Sequence, residues 1–350
     1  MRTPKLRKIF KRKNRQFQIK SKNKSKNKKK IVEVKTVEEI YKVTKKNKPK
    51  SLINNNSNSS LHNTLKNFHA KKIRCSPKKL NELNMFSCYT DKTLFKLRDL
   101  WNARHPDALI NTNNGEEIHS QLSKYMNQVC NTESCWLKQN FVDSKDVSTI
   151  QKESFAPLQP NDWKTNPDEW LTSMDIVNVM KQFENAYNCF EFIGPSPIDF
   201  DKKLLYGECV WEELCKFSVK DQIKRGKFKI GFVFNTDTHD KSGEHWISMF
   251  INIKKAQIHF FDSVGETAPK EVKVFVDRVI KQGKELGIHF KYDENHPVEH
   301  QYGDTECGIY SIFFIVHMLQ DKITEHYLKT HVLKDKFMSE FREKYFNKSL

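Results

Sequence analysis

The chain has 350 residues, long enough for two domains or for one domain with extensions. Residues 1–50 carry 21 Lys/Arg against 3 Asp/Glu, a net of +18 that equals the formal charge of the whole chain. The other 300 residues balance at 40 of each sign, so the basic character belongs to a tail and a folded part built as a polycation is excluded. The N-terminus is charged and lacks a continuous apolar stretch, and no apolar run reaches membrane-spanning length. A soluble, non-secreted protein with no membrane segment is the expectation. Eight cysteines lie scattered at positions 75, 88, 130, 135, 189, 209, 215 and 307. In a reducing compartment they are expected as free thiols.

Residues 1–74 are dominated by Lys, Asn, Ser and Gln, a composition that buries too little apolar surface to offset ordering entropy. They read as a disordered basic tail, with brief structure around Ile31 to Val43. Its lysine clusters suit phosphate, so nucleic acid is a candidate partner, although no interleaved aromatics offer base stacking. A solubilising tail is the alternative.

Residues 75–150 read as a small helical domain. Leu94, Leu97 and Trp101 fall on one helical face, and Ile118, Leu122, Tyr125, Met126 and Val129 on another. Cys75, Cys88, Cys130 and Cys135 lie within or beside it, with gaps of 12, 41 and 4 residues. These gaps lack the tight paired knuckles of structural zinc, so buried thiols are expected and no metal. Residues 145–168 are polar, carry Pro157, Pro160 and Pro167, and read as a linker. Thr172 or Ser173 then caps a helix bearing Ile176, Met180, Phe183 and Tyr187. Residues 188–227 are mixed, with a short helix from Cys209 to Phe217.

From Phe228 the period switches to that of strands. Phe228–Phe234, Trp246–Ile253 and Gln257–Phe261 are predicted strands, the last two joined as a hairpin by Lys254-Lys255-Ala256. Thr267 and Pro269 start a helix that ends at Gly287. Ile288–Tyr292 is a fourth strand. Helices follow from Ile309 and around Phe337, Met338, Phe341 and Tyr345. The order βββαβα with helices packed on a mixed sheet is an α+β domain, placed at residues 165–350.

Chemistry concentrates in His300-Gln301-Tyr302-Gly303-Asp304-Thr305-Glu306-Cys307-Gly308. A polar loop ends at a cysteine and a helix begins directly after it. Ile309, Ile312, Phe313 and Val316 mark one face of that helix, so Cys307 sits at its N-terminus, where the helix dipole favours a thiolate. A lone cysteine there would ordinarily be a buried thiol. The turn-rich approach and two upstream residues argue for more. His245 opens the second strand and Asp262 ends the third. A tight hairpin brings them side by side, with one ring nitrogen facing the carboxylate and the other left for Cys307. Among thirteen histidines, His239, His259 and His300 lack such a partner in the sequence pattern. Trp246 is either a core aromatic or the wall of a narrow cleft.

Taken in order, His245-Trp246, Phe261-Asp262-Ser263, Gln301 and Glu306-Cys307-Gly308 resemble the ubiquitin-like-protein protease superfamily. That superfamily includes the SUMO proteases, the adenovirus protease and processing proteases of large DNA viruses. Glu169-Trp170-Leu171 resembles the family's Trp-Leu motif, so about residues 165–325 are covered. The resemblance implies a papain-like cysteine protease of the SUMO/adenovirus type, with a mixed central sheet flanked by helices. It implies Cys307 as nucleophile, His245 as general base and acid, Asp262 as orienting carboxylate and Gln301 as an oxyanion donor. Trp170 and Trp246 would line a tunnel for a Gly-Gly tail. No cofactor is implied.

Two positions depart from the SUMO proteases, which usually carry Asp at Glu306 and often Asn at Gly303. They favour the viral branch, whose members carry a helical N-terminal arm of which Cys130 to Cys135 is reminiscent. The expectation is therefore an endopeptidase cleaving structural polyproteins at Gly-Gly-X sites, in the virion and the host cytoplasm. Rival expectations are a ubiquitin or SUMO isopeptidase, an acetyltransferase on the same fold, and a non-catalytic binding module.

Overall fold

The computed structural model describes residues 32–34 and 73–348. The first element, β1 (Val32–Val34), falls within the stretch of the tail where brief structure was expected, and the rest of residues 1–72 lie outside the described residues. A helical region follows. It contains α1 (Asp91–Asn102), α2 (Gly115–Met126), α3 (Glu133–Trp136) and α4 (Ser144–Ser154). Thr90 caps α1 by accepting from the Thr93 N–H, and Asn114 caps α2 by accepting from the Glu117 N–H. Leu94, Leu97, Trp101, Ile118, Leu122 and Met126 meet in a core separate from that of the sheet. Tyr125 and Val129, expected inward, are exposed: Val129 lies beyond the end of α2, and Tyr125 stacks on Trp101 from the surface. The half-buried Glu133 carboxylate ties the region together. It accepts from the Ser87 hydroxyl, the Cys88 N–H and His119 Nε2.

Two sequence expectations fail here. The linker expected at 145–168 is partly helix: α4 buries Ile150, and a 3₁₀ turn at Asn161–Lys164 buries Trp163. Single apolar residues among Lys, Glu and Ser gave too little periodicity to show it. The thiols, expected unpaired, form disulfides Cys75–Cys88, Cys130–Cys135 and Cys209–Cys215. Among the described residues only Cys189 and Cys307 are free. Cys75 is brought near Cys88 by its bridge to Phe155, a contact that sequence spacing does not carry.

The sheet-bearing part begins with α5 (Ser173–Ala186), held by a reciprocal capping box between Thr172 and Asp175. Strand β2 (Phe190–Pro197) follows, then α6 (Glu212–Cys215) and α7 (Val219–Lys224). Strands β3 (Lys229–Asn235), β4 (Trp246–Asn252) and β5 (Gln257–Phe261) precede α8 (Lys270–Glu285) and β6 (Lys291–Glu294). The chain closes with α9 (Cys307–Leu319), α10 (Glu325–Thr330), β7 (His331–Leu333) and α11 (Asp335–Tyr345).

The five-stranded sheet has the order β2-β3-β4-β5-β6. β2 runs parallel to β3, β4 is antiparallel to both its neighbours, and β6 runs parallel to β5. The end of β3, the start of β4 and the end of β5 therefore share one edge. Val233, Phe250 and Phe261 face α5, α9 and α11, while Phe232, Met249, Ile251 and Phe260 face α8. Every residue of β4 is buried, as a central strand covered on both faces requires.

The sequence reading missed β2. Gly194, Pro195 and Pro197 interrupt its pattern, and its register shifts between Ile193 and Ser196. Proline is tolerated there because β2 is an edge strand. The fourth strand lies at Lys291–Glu294 and not at Ile288–Tyr292, because Phe290 packs over the end of α8, against Gly283. Apart from the main sheet, β1 pairs in parallel with β7, Val32 opposite His331 and Val34 opposite Leu333.

Candidate active site

The hairpin of β4 and β5 pairs Ser248 with Phe261, so the residues flanking its open end are His245 and Asp262. His245 Nε2–H donates to Asp262 Oδ1 at 2.7 Å. Asp262 Oδ1 also accepts from the Val264 N–H at 3.0 Å. The Asn295 side chain holds the Asp262 backbone on both sides, accepting from its N–H at 2.9 Å and donating to its carbonyl at 2.7 Å. On the other strand, Asn235 Oδ1 accepts from the N–H groups of Asp237 and Glu244, which fixes the loop that delivers His245. Gly243 in that loop has φ +89, and a Cβ there would lie 2.9 Å from Asn235 Nδ2.

Cys307 opens α9 and is 2% exposed. It lies close enough to the His245 ring to act on its charge. Burial opposes charge on this ring, but the hydrogen bonds and charges of Asp262 and Cys307 outweigh it. Together they push the His245 pKa from 6.5 to about 10. The ring is therefore an imidazolium at neutral pH.

The other histidines are placed elsewhere. His300 is buried and neutral: burial lowers its pKa to about 3, and its Nδ1 accepts from the Leu333 N–H. His259 is buried in β5, 3.8 Å from Glu325. His239 has a carboxylate partner after all, Asp199 at 2.7 Å, supplied by the loop after β2.

Gln301 is 3% exposed and pinned to the residue after Asp262. The Gln301 N–H donates to the Ser263 carbonyl and the Ser263 hydroxyl donates to Gln301 Oε1, both at 2.8 Å. Gln301 Nε2 donates to the Gly303 carbonyl at 3.0 Å, which leaves its second hydrogen for another acceptor. Asp335, the first residue of α11, accepts from the N–H groups of Tyr302 and Gly303 at 2.9 and 2.8 Å.

The paired motifs converge on Leu171. Trp246 Nε1–H donates to the Leu171 carbonyl at 3.0 Å. Gly308 packs against the Leu171 side chain, where an added Cβ would lie 3.0 Å from Leu171 Cβ. The residue after the histidine, the residue after the cysteine and the residue after Trp170 thus form one contact. Trp246 is 8% exposed and belongs to the core, so it supports the segment carrying Trp170, which is itself half-buried.

Sequence reasoning missed Asn235, Asn295, Arg342 and Asp335. Each acts by holding backbone, and such residues carry no motif of their own. Only the burial of Arg342, on a helix otherwise amphipathic, sets it apart.

Residues 170–349, about half of the chain, match the model of the Ulp1 protease family, C-terminal catalytic domain. The chain belongs to the Ulp1 protease family. It is a cysteine peptidase, with the mixed sheet and flanking helices of that fold. It is similar to a protein of Acanthamoeba polyphaga mimivirus named as a thiol protease, 26% identical over 67% of this chain and 76% of the relative. It is also similar to a SUMO-1 cysteine protease of African swine fever virus, 26% identical over 67% of this chain and 90% of the relative. A crystal structure of the African swine fever virus protease superposes with a TM-score of 0.57 at 22% identity. That superposition covers 79% of this chain and 96% of the other.

Proposed function

We propose that Cys307, His245 and Asp262 form the catalytic triad of a viral endopeptidase that cleaves structural polyproteins at Gly-Gly-X sites during virion maturation. One observation carries the catalytic part: the His245 imidazole is bound to a buried carboxylate and its charge is felt by, and responds to, the helix-terminal Cys307. The Cys307 thiolate attacks the scissile carbonyl. The oxyanion is held by the free Gln301 Nε2 hydrogen and by backbone N–H groups at the start of α9. The His245 imidazolium gives its proton to the leaving amine, which departs and leaves a thioester. Neutral His245 then takes a proton from water, which attacks the thioester, and the thiolate is regenerated. Asp262 keeps the ring oriented through both steps.

Close packing of Gly308 on Leu171 suits a narrow approach lined by Trp170 and backed by Trp246, which admits residues without side chains. The viral origin of the relatives supports maturation of structural proteins in the virion and host cytoplasm. Among the described residues no helix is long and apolar enough to cross a membrane. The basic tail is assigned to nucleic acid by its charge alone. The test is N-terminal sequencing of products from virion structural proteins incubated with the enzyme, with the Cys307→Ala variant as control. New N-termini after Gly-Gly are expected with the wild type only.

A second reading, an isopeptidase acting on a ubiquitin-like modifier, is favoured by the relatives named as SUMO-1 cysteine proteases. Rapid labelling of Cys307 by a modifier vinyl sulfone, without cleavage of virion proteins, would select it.

A further inference from the structure

Arg342 lies on α11, far from Cys307 in the chain, yet its side chain is 6% exposed and meets Glu306 at 4%. Its Nε–H is shared between both Glu306 carboxylate oxygens, at 3.0 and 2.9 Å. Nη1 donates to the Glu169 carbonyl at 2.7 Å and Nη2 to the Thr305 carbonyl at 3.0 Å. Its guanidinium carbon sits 4.5 Å from the centre of the Trp163 ring. Glu169 immediately precedes Trp170, and Thr305 and Glu306 immediately precede Cys307.

We propose that Arg342 is a positioning residue that fixes the Cys307 sulfur and the Trp170 wall relative to each other. The proposal rests on Cys307 being the nucleophile. A guanidinium is planar and its N–H directions are fixed, so it can set the separation of two backbone segments where a lysine cannot. A buried ion pair adds little net stability over a well-packed apolar pair of equal size. What the apolar pair could not supply is the directional grip on the Glu169 and Thr305 carbonyls. The longer side chain of Glu306, where SUMO proteases usually carry Asp, is consumed in this bond.

The experiment uses the full chain. Arg342→Lys keeps the charge and loses the fork, and kcat on a Gly-Gly-X peptide is expected to fall about 100-fold, the scale of a misplacement near 1 Å. Alkylation of Cys307 by iodoacetamide at a fixed pH should slow in the same variant. Glu306→Leu/Arg342→Met replaces the pair by apolar side chains. It is expected to melt at or above the wild-type temperature while kcat stays low. Wild-type kcat in either variant overturns the proposal, and if Arg342→Lys does not fold the double variant decides. Loss of turnover in Cys307→Ala with unchanged kcat in the Arg342 variants rejects Arg342 alone. Turnover surviving in Cys307→Ala rejects the nucleophile assignment instead.

Discussion

Replacing Asp262 by Asn tests the charge at the centre of the site. The His245 ring is raised from 6.5 to about 10, against the burial that would lower it. At about 1.4 kcal/mol per pH unit, that corresponds to on the order of 5 kcal/mol favouring the protonated ring. Asp262 supplies the first of the opposing contributions, a 2.7 Å hydrogen bond, and adds its charge. The raised value fixes the sign. Stabilisation by protonated His245 is complete below 6.5 and is lost as pH rises through about 10. Asn keeps a hydrogen-bond acceptor for Nε2 but removes the charge, so the ring should lose its proton at lower pH. The alkaline limb of kcat/KM, where the leaving amine no longer finds an acid, should therefore move down by at least about one pH unit. kcat at neutral pH should fall by about 10- to 100-fold, less than the roughly 10²–10⁴-fold expected of His245→Ala. The assay is initial rates on a fluorogenic Gly-Gly peptide from about pH 5 to 10.5, with the wild type alongside. An alkaline limb in the same place in both enzymes would refute the role given to Asp262.

Gly308→Ala places a methyl group 3.0 Å from Leu171 Cβ, and overpacking of this kind costs about 1–3 kcal/mol, measurable by urea denaturation. Turnover should fall as well, since Leu171 carries the segment with Trp170. Trp246→Phe leaves the Leu171 carbonyl without its donor, so stability should drop by about 1–3 kcal/mol while the pH profile of the triad keeps its shape. Deleting residues 1–70 removes β1 and its pairing with β7, so the melting temperature should fall. The same deletion should leave kcat on short peptides nearly unchanged, because Cys307, His245 and Asp262 lie on or beside other elements; its loss would tie β1 to the site.

The pairing of His245 with Asp262 was legible because the two flank one hairpin. The connection expected at Lys254-Lys255-Ala256 is in fact four residues, Ile253 to Ala256, with Asn252 opposite Gln257, yet so short a turn still brings His245 beside Asp262 with no long-range knowledge. The place of Cys307 at a helix start was legible because the polar loop and the apolar helix change character there. Arg342 was not legible, since its partners Glu306, Thr305 and Glu169 come from two distant segments. Strand β2 was hidden by prolines that only an edge position tolerates. The cysteine pairs were hidden for a related reason: in Cys75–Cys88, proximity comes from a bridge to Phe155. What a sequence pattern carries is local direction and periodicity, and these contacts depend on neither.

Helix α9 is buried along its whole length, from Cys307 to Leu319. The sulfur is thus mounted on the part of the molecule with the least room to yield, and no peripheral loosening can blunt it by degrees. Heat should silence this enzyme in one step, with the loss of turnover and the calorimetric transition falling at the same temperature.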